Sequence, residues 1–284
     1  MSNISPIDGR YKKNVSELET FFSEQALMRH RVMVEVEYLL ALVEHKSFQK
    51  TRALSKKTLN SLKGLYVEFS ATHFKQIKKI EKKTNHDVNA VVVFVSEKLK
   101  KIGRGDLVPF VHFGLTSEDI NNISYSLMAQ GAVDNVMIPH VKGVLKELKA
   151  LSKKTKSLSL LSLTHGQPAT TTTLGKELAV FVSRVEREIA LIKKMKLLAK
   201  LSGATGSYAA HKVAFPDFNW PLFSKRFIKK LGLEQSPIST QIEPGDSLAE
   251  LLHSFVRINN IFSDFSLDMW LYISRNIFVQ KNIV

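Results

Sequence analysis

The chain has 284 residues, 44% of them hydrophobic, no cysteine and a formal net charge of +15. The apolar fraction is that of a globular protein and argues against wholesale disorder. The lack of cysteine excludes disulfides, thiolate metal sites and thiol nucleophiles, and fits a reducing compartment such as the cytoplasm.

The opening residues, MSNISPIDGRYKK, carry no apolar signal-peptide core, so no leader is expected. The longest apolar runs, VNAVVVFV and LVPFV, fall short of the roughly 18–20 residues that a membrane span needs. The basic residues are scattered, often as pairs such as Lys56–Lys57, Lys100–Lys101 and Lys193–Lys194, and are not interleaved with aromatics. That pattern favours a solvated surface over a nucleic-acid partner, while a positive field suits a small anionic substrate.

In chain order, Ser16 and Glu19 stand at capping-box spacing and predict a first helix to about residue 44. Thr116 and Asp119 repeat the signal at the start of TSEDINN, and Pro139 suits the first turn of a helix running to about Lys156. Leu174, Leu178, Phe181, Val182, Val185, Ile189, Ile192, Met195 and Leu198 recur at steps of three and four. They predict one helix over 174–201, about 40 Å long. Ser247 and Glu250 open a last helix with a stripe from Leu251 to Tyr272. Strand-like alternation is confined to short pieces near 206–215 and 236–242. The expected fold is all-α: a small helical N-terminal domain over 1–109, then a long-helix bundle over 110–284. No phosphate loop, zinc spacing or internal repeat is present.

Five polar segments interrupt this pattern at helix ends or loops. SPIDGRY (5–11) offers Arg10 and Tyr11; an arginine here could hold a phosphate through two hydrogen bonds, or simply lie on a surface turn. KKTNHDVNA (82–90) places Asn85, His86 and Asp87 in succession, as anion or acid–base groups or as ordinary capping. HFGLTSEDINN (112–122) sets Thr116 and Ser117 at a helix N-terminus, which favours an anion, though capping also accounts for Thr116 and Asp119. LSLTHGQPAT (161–170) puts His165 before Gly166, which lets a ligand approach the backbone; a histidine packed on a helix end is the alternative. STQIEPGD (239–246) offers Gln241 as a polar reader, or merely a turn.

Together SPIDGRY, TNHDV, HFGLTSEDINN, LSLTHGQPAT and TQIEP, in this order, resemble the bacterial adenylosuccinate lyases of the fumarase/aspartase superfamily. The resemblance runs from residue 4 to the end of the chain. It implies a small helical N-terminal domain, a long five-helix bundle, a small helical C-terminal domain, and a homotetramer whose sites each draw on three subunits. It also implies β-elimination of fumarate from a phosphorylated, succinyl-bearing nucleotide, with no metal and no cofactor. His165 would be the acid. Arg10, Tyr11, Asn85, His86, Asp87, Thr116, Ser117 and Gln241 would contact substrate, with Arg10 at the phosphate and Thr116 and Ser117 at the carboxylates.

The sequence departs from that family in two places. The family's loop of the form G-S-S-x-M-P-x-K, whose serine would be the base, has no counterpart before the closing FVQKNIV. On this reading a homo-oligomer of the 284 residues is expected to lack the base and the last bundle helix. Three explanations stand beside one another: a fragment of a longer protein, an inactive remnant or non-catalytic helical scaffold, and a chain that works beside a separate C-terminal piece. The smaller departure is Gly245 in IEPGD, where a larger polar residue is expected.

Overall fold

The computed structural model describes residues 4–45, 47 and 54–279. A 3-10 turn over Lys12–Leu18 leads into α1 (Glu19–Phe22), α2 (Glu24–Glu44), α3 (Lys56–Val67), α4 (Ala71–Thr84) and α5 (Asp87–Lys101). A second 3-10 turn, Gly105–Phe110, precedes α6 (Ser117–Ala132), which a π-turn over Val133–Met137 separates from α7 (Ile138–Lys154). The strands β1 (Ser159–Thr164) and β2 (Gln167–Thr173) come before α8 (Leu174–Lys194). Then follow β3 (Leu198–Ala199), α9 (Ala209–Ala214), α10 (Trp220–Lys230), β4 (Glu234–Gln235) and α11 (Asp246–Ser274). The fold is all-α, with short two-stranded sheets as accessories.

Two compact units emerge, Met1–Val133 with Lys196–Gly245, and Asp134–Met195 with Asp246–Val284. These limits differ from a division at residue 109. In the first unit α6 packs along α2, and β3 pairs in parallel with β4, so both the start of the bundle sequence and the stretch after α8 fold with the N-terminal helices.

In the first unit α2 is the central helix. Val32, Val34, Val36, Tyr38, Leu39, Leu40 and Leu42 are all buried, which requires neighbours on every side. α3, α5 and α6 supply them. In the second unit α8 lies between α7 and α11. Its stripe Leu178, Phe181, Val185, Ile189 and Ile192 is buried with Val141, Leu145 and Leu148 of α7 and Phe255, Ile258 and Ile261 of α11. Gly175 permits this packing: a Cβ there would collide with the carbonyl oxygen of Ser152 and lie 2.6 Å from Lys156 Cα.

Three local expectations are corrected. The helix that runs to Glu44 begins at Glu24, after the single turn of α1: Ser23 is extended and accepts from the Ala26 N–H at 3.1 Å, whereas the Ser16 hydroxyl donates back to the Lys13 carbonyl. The helix from 174 stops at Lys194, because Met195 turns extended and Leu198–Ala199 pair with Glu234–Gln235. Leu198 therefore satisfies the helical spacing without being helical. The strand-like stretches near 206–215 and 236–242 hold α9 and irregular turns. The longest strands are β1 and β2, whose β-branched threonines carry the β preference.

Candidate active site

Asn85 ends α4 in the left-handed conformation (φ 52°) and turns the chain so that His86 can cap α5. His86 Nδ1 accepts from the Asn89 N–H at 3.2 Å. That bond assigns the proton of the neutral ring to Nε2, which stands 3.5 Å from Ser117 Oγ. Ser117 is the first residue of α6, and the N-cap Thr116 donates its N–H to Asp119 Oδ2 at 2.8 Å. An imidazole N–H, a hydroxyl and a helix N-terminus thus converge, an arrangement suited to an oxyanion or carboxylate.

Arg31 of α2 holds this corner. Its guanidinium is 2.7 Å from Asp87 Oδ2, and its Nε donates to Asn121 Oδ1 at 2.9 Å. Burial would raise the Asp87 carboxyl, but the charge of Arg31, the Val88 N–H and the Arg31 hydrogen bond outweigh it and hold the group below the usual carboxylate range.

A second polar pair lies at the start of the same loop. His112 is left-handed (φ 56°), and its Nδ1 is 2.5 Å from Glu35 Oε1. Glu35 is fully buried, and its Oε2 has no partner among the described residues. Burial lowers the affinity of His112 for a proton, yet the bond to Glu35 and the charges of Glu35 and Asp119 raise it overall above the ordinary imidazole value.

Further in, Tyr38 donates its hydroxyl to the Phe113 carbonyl at 2.7 Å, so His211 Nε2–H, 3.1 Å away, donates to the tyrosine oxygen. His211 Nδ1 is left bare and buried. Burial lowers the His211 pKa to about 4, with Asp119 opposing it more weakly. The neutral ring underlies the loop, because a Cβ on Gly114 would lie 2.6 Å from it.

Gln241 has an exposed side chain, while its carbonyl accepts from the buried Lys200 Nζ at 2.7 Å. Arg10 stacks over the Tyr11 ring, 5.5 Å from its centroid, and both are exposed. His165 is exposed at the tip between β1 and β2. Thr164 pairs with Gln167, so His165 (φ 52°) and Gly166 (φ 74°) form the two-residue turn with positive φ at both positions that a tight hairpin demands. The ring makes no hydrogen bond among the described residues.

Of the residues singled out from the sequence, His86 and Ser117 are brought together, with Asn85, Asp87 and Thr116 adjoining them. Arg10, Tyr11 and Gln241 form no hydrogen bond or ion pair with that group among the described residues. His165 belongs to the second unit and the other eight to the first. Sequence reasoning missed Arg31, Glu35, His112 and Lys200. The available signals were charged residues inside the apolar run of α2, and the histidine that opens HFGLTSEDINN.

The chain matches the family described as lyase over residues 9–283. It belongs to that family. It is 42% identical over its whole length to the adenylosuccinate lyase of Escherichia coli K12 and 40% identical to that of Haemophilus influenzae. The adenylosuccinate lyase of Dictyostelium discoideum is 42% identical over 99% of the chain. In each case the chain spans 62% of the relative's length. Among solved structures, a fumarate lyase from Mesorhizobium sp. BNC1 superposes with a TM-score of 0.73 at 18% identity, covering 91% of this chain and 57% of that one. The β-carboxy-cis,cis-muconate cycloisomerase of Acinetobacter calcoaceticus sp. ADP1 gives 0.71 at 21% identity, with the same coverage. These two likenesses establish the fold.

No described helix is long and apolar enough to cross a membrane. Among the described residues no group of three or more histidines and carboxylates could hold a metal ion.

Proposed function

We propose that this chain carries part of the active site of an adenylosuccinate lyase. Such an enzyme eliminates fumarate from adenylosuccinate, leaving AMP, and from the succinyl-aminoimidazole-carboxamide ribotide, leaving AICAR, in purine nucleotide biosynthesis. The observation that carries the reading is the meeting of His86 Nε2–H with Ser117 at the N-terminus of α6, in a chain 42% identical to adenylosuccinate lyases.

In the elimination a base takes a proton from the carbon beside a succinyl carboxylate. The electron pair left behind becomes the double bond of fumarate as the C–N bond breaks, and an acid protonates the departing nitrogen. Donors aimed at the carboxylate stabilise the charge that develops there. Thr116 and Ser117 fill that role, with His86 as a further donor. Arg10 holds the phosphate, its guanidinium free of carboxylates among the described residues, and Tyr11, Asn85, Asp87 and Gln241 contact the remaining substrate.

His165 is the acid. A hairpin tip projects an imidazole beyond its own strands, which suits delivery to a site assembled from more than one subunit. The reading includes no metal and no cofactor. It includes a homotetramer in the cytoplasm; apolar side chains exposed on α11, among them Leu252, Val256, Leu267 and Trp270, support the packing of this helix against a further helix or subunit.

The test is fumarate release from adenylosuccinate by the purified 284-residue chain, alone and with a separately made C-terminal piece bearing the serine loop. Release only with the added piece supports a competent partial site that awaits its base. Release by the chain alone supports the activity and places the base within these residues. No release in either case, from folded protein, overturns the reading in favour of an inactive remnant or scaffold.

A further inference from the structure

Behind the α6 terminus lies an ion pair removed from solvent. Lys200 is 1% exposed and Asp119 is fully buried, with Nζ 3.0 Å from Oδ1. The ammonium also donates to the carbonyls of Gly203 at 2.8 Å and Gln241 at 2.7 Å, which uses all three of its donors. Asp119 accepts from Thr116 N and Gly203 N through Oδ2, at 2.8 and 3.1 Å, and from Ser202 N through Oδ1 at 2.9 Å. Apart from the ion pair itself, the hydrogen bonds of both groups all go to backbone. Three stretches far apart in sequence, 116–119, 202–203 and 241, are thereby fixed to one another.

Stability alone is a weak reason for such a pair. Burying two charges is expensive, and a well-packed apolar pair often serves as well. An apolar pair, however, could not tie three backbone segments at fixed distances. Two of the tied segments carry residues assigned above to substrate, Thr116 with Ser117 and Gln241. Gln241 lies in a turn whose neighbour Ile242 is 61% exposed, so packing does little to hold it there.

We propose that Lys200, paired with Asp119, is the positioning residue that sets Gln241 against the N-terminus of α6, so that both address the succinyl end of the substrate together. The inference rests on the adenylosuccinate lyase reading. Lys200 touches no substrate; it acts through the Gln241 main chain. The bonds explain the choice of lysine: three donors on a compact ammonium reach three acceptors, whereas a planar guanidinium would direct its donors elsewhere.

The experiment is titration calorimetry of the folded 284-residue chain with adenylosuccinate and with AMP, which lacks the succinyl group. The proteins are wild type, Gln241→Ala, Lys200→Met with Asp119→Asn so that no charge is left unpaired, and all three changes combined. The paired variant should bind adenylosuccinate roughly tenfold more weakly while its AMP affinity changes less than about twofold. The effect of Gln241→Ala should largely vanish in the paired background, because the glutamine there is already displaced.

Unchanged adenylosuccinate affinity in the folded paired variant overturns the positioning role, as do equal losses for both ligands or two effects that simply multiply. If the paired variant does not fold, Lys200→Arg decides. It keeps the charge but redirects the donors, so a selective loss for adenylosuccinate supports the role and wild-type affinity overturns it. Wild-type chain that binds neither ligand, alone or with the C-terminal piece added, overturns the lyase reading itself, and the inference with it.

Discussion

Arg31, only 3% exposed in its side chain, places its guanidinium 2.7 Å from Asp87 and 2.9 Å from Asn121. One side chain of α2 thereby fixes the start of α5 and the first turns of α6, the two elements that bring His86 to Ser117. Arg31→Met should leave Asp87 unpaired and strip Asn121 of its donor. A loss of about 1–3 kcal/mol is expected, below the full penalty for a broken buried pair because Asp87 is partly exposed. Urea unfolding measures it, and a midpoint within error of wild type would refute the bracing role. Because the folded Asp87 pKa is lowered, its contribution is present above the ordinary carboxylate range and lost as pH falls through the lowered value.

His165→Asn separates chemistry from turn geometry at the hairpin tip. Asparagine tolerates the left-handed backbone (φ 52°) that His165 adopts. The ring makes no hydrogen bond among the described residues, so the melting temperature should hold. In any preparation that releases fumarate, turnover should fall about 10²-fold or more. Turnover within twofold of wild type would remove His165 from the acid role.

Gly175→Ala and Gly143→Ala should act in opposite directions. A Cβ at 175 meets the backbone of Ser152 and Lys156, which cannot yield as a side chain can, whereas a Cβ at 143 has nothing within 4 Å. The first should destabilise by about 1–3 kcal/mol. The second, at an exposed position inside α7, should stabilise by about 0.5–1 kcal/mol through helix propensity. Thermal melts of the two variants supply the comparison, and the same sign for both would refute the close α7–α8 approach.

Acid should weaken the first unit through His211. Its folded pKa, about 4, lies below the ordinary 6.5, so the unfolded chain takes up the proton first. Full stability is then present above about pH 6.5 and is lost progressively as pH falls towards 4, by roughly 3 kcal/mol for this group. His112 works in the other sense: its raised pKa gives stability that is complete below the unfolded value and lost as pH rises through the folded one. Melting temperature against pH for His211→Phe should lack the acid-side loss seen in wild type. An identical acid limb would show that another group drives it.

The sequence by itself determined the all-α class and the start of α6. An apolar stripe at steps of three and four, and a threonine three residues before an aspartate, are consequences of helix geometry that no distant contact needs to supply. It also exposed the polar segments, because donors and acceptors grouped at helix ends stand out from an apolar period. It could not show that 198–199 leaves the helical pattern, since a two-residue strand exists only where β4 lies beside it. The hairpin around His165 was written in four threonines and a His-Gly pair, yet a polar run without alternation hides its strand character.

Tertiary structure alone decided which polar residues meet. Asp119 and Lys200 are 81 positions apart, and nothing near either one specifies that their charges share a buried site; the folding of α6 and the β3 segment around one core does. The same holds for Glu35 with His112 and Arg31 with Asp87. A buried charge needs a partner, but its identity depends on how distant elements pack, and that is set by the summed burial of side chains rather than by any local pattern.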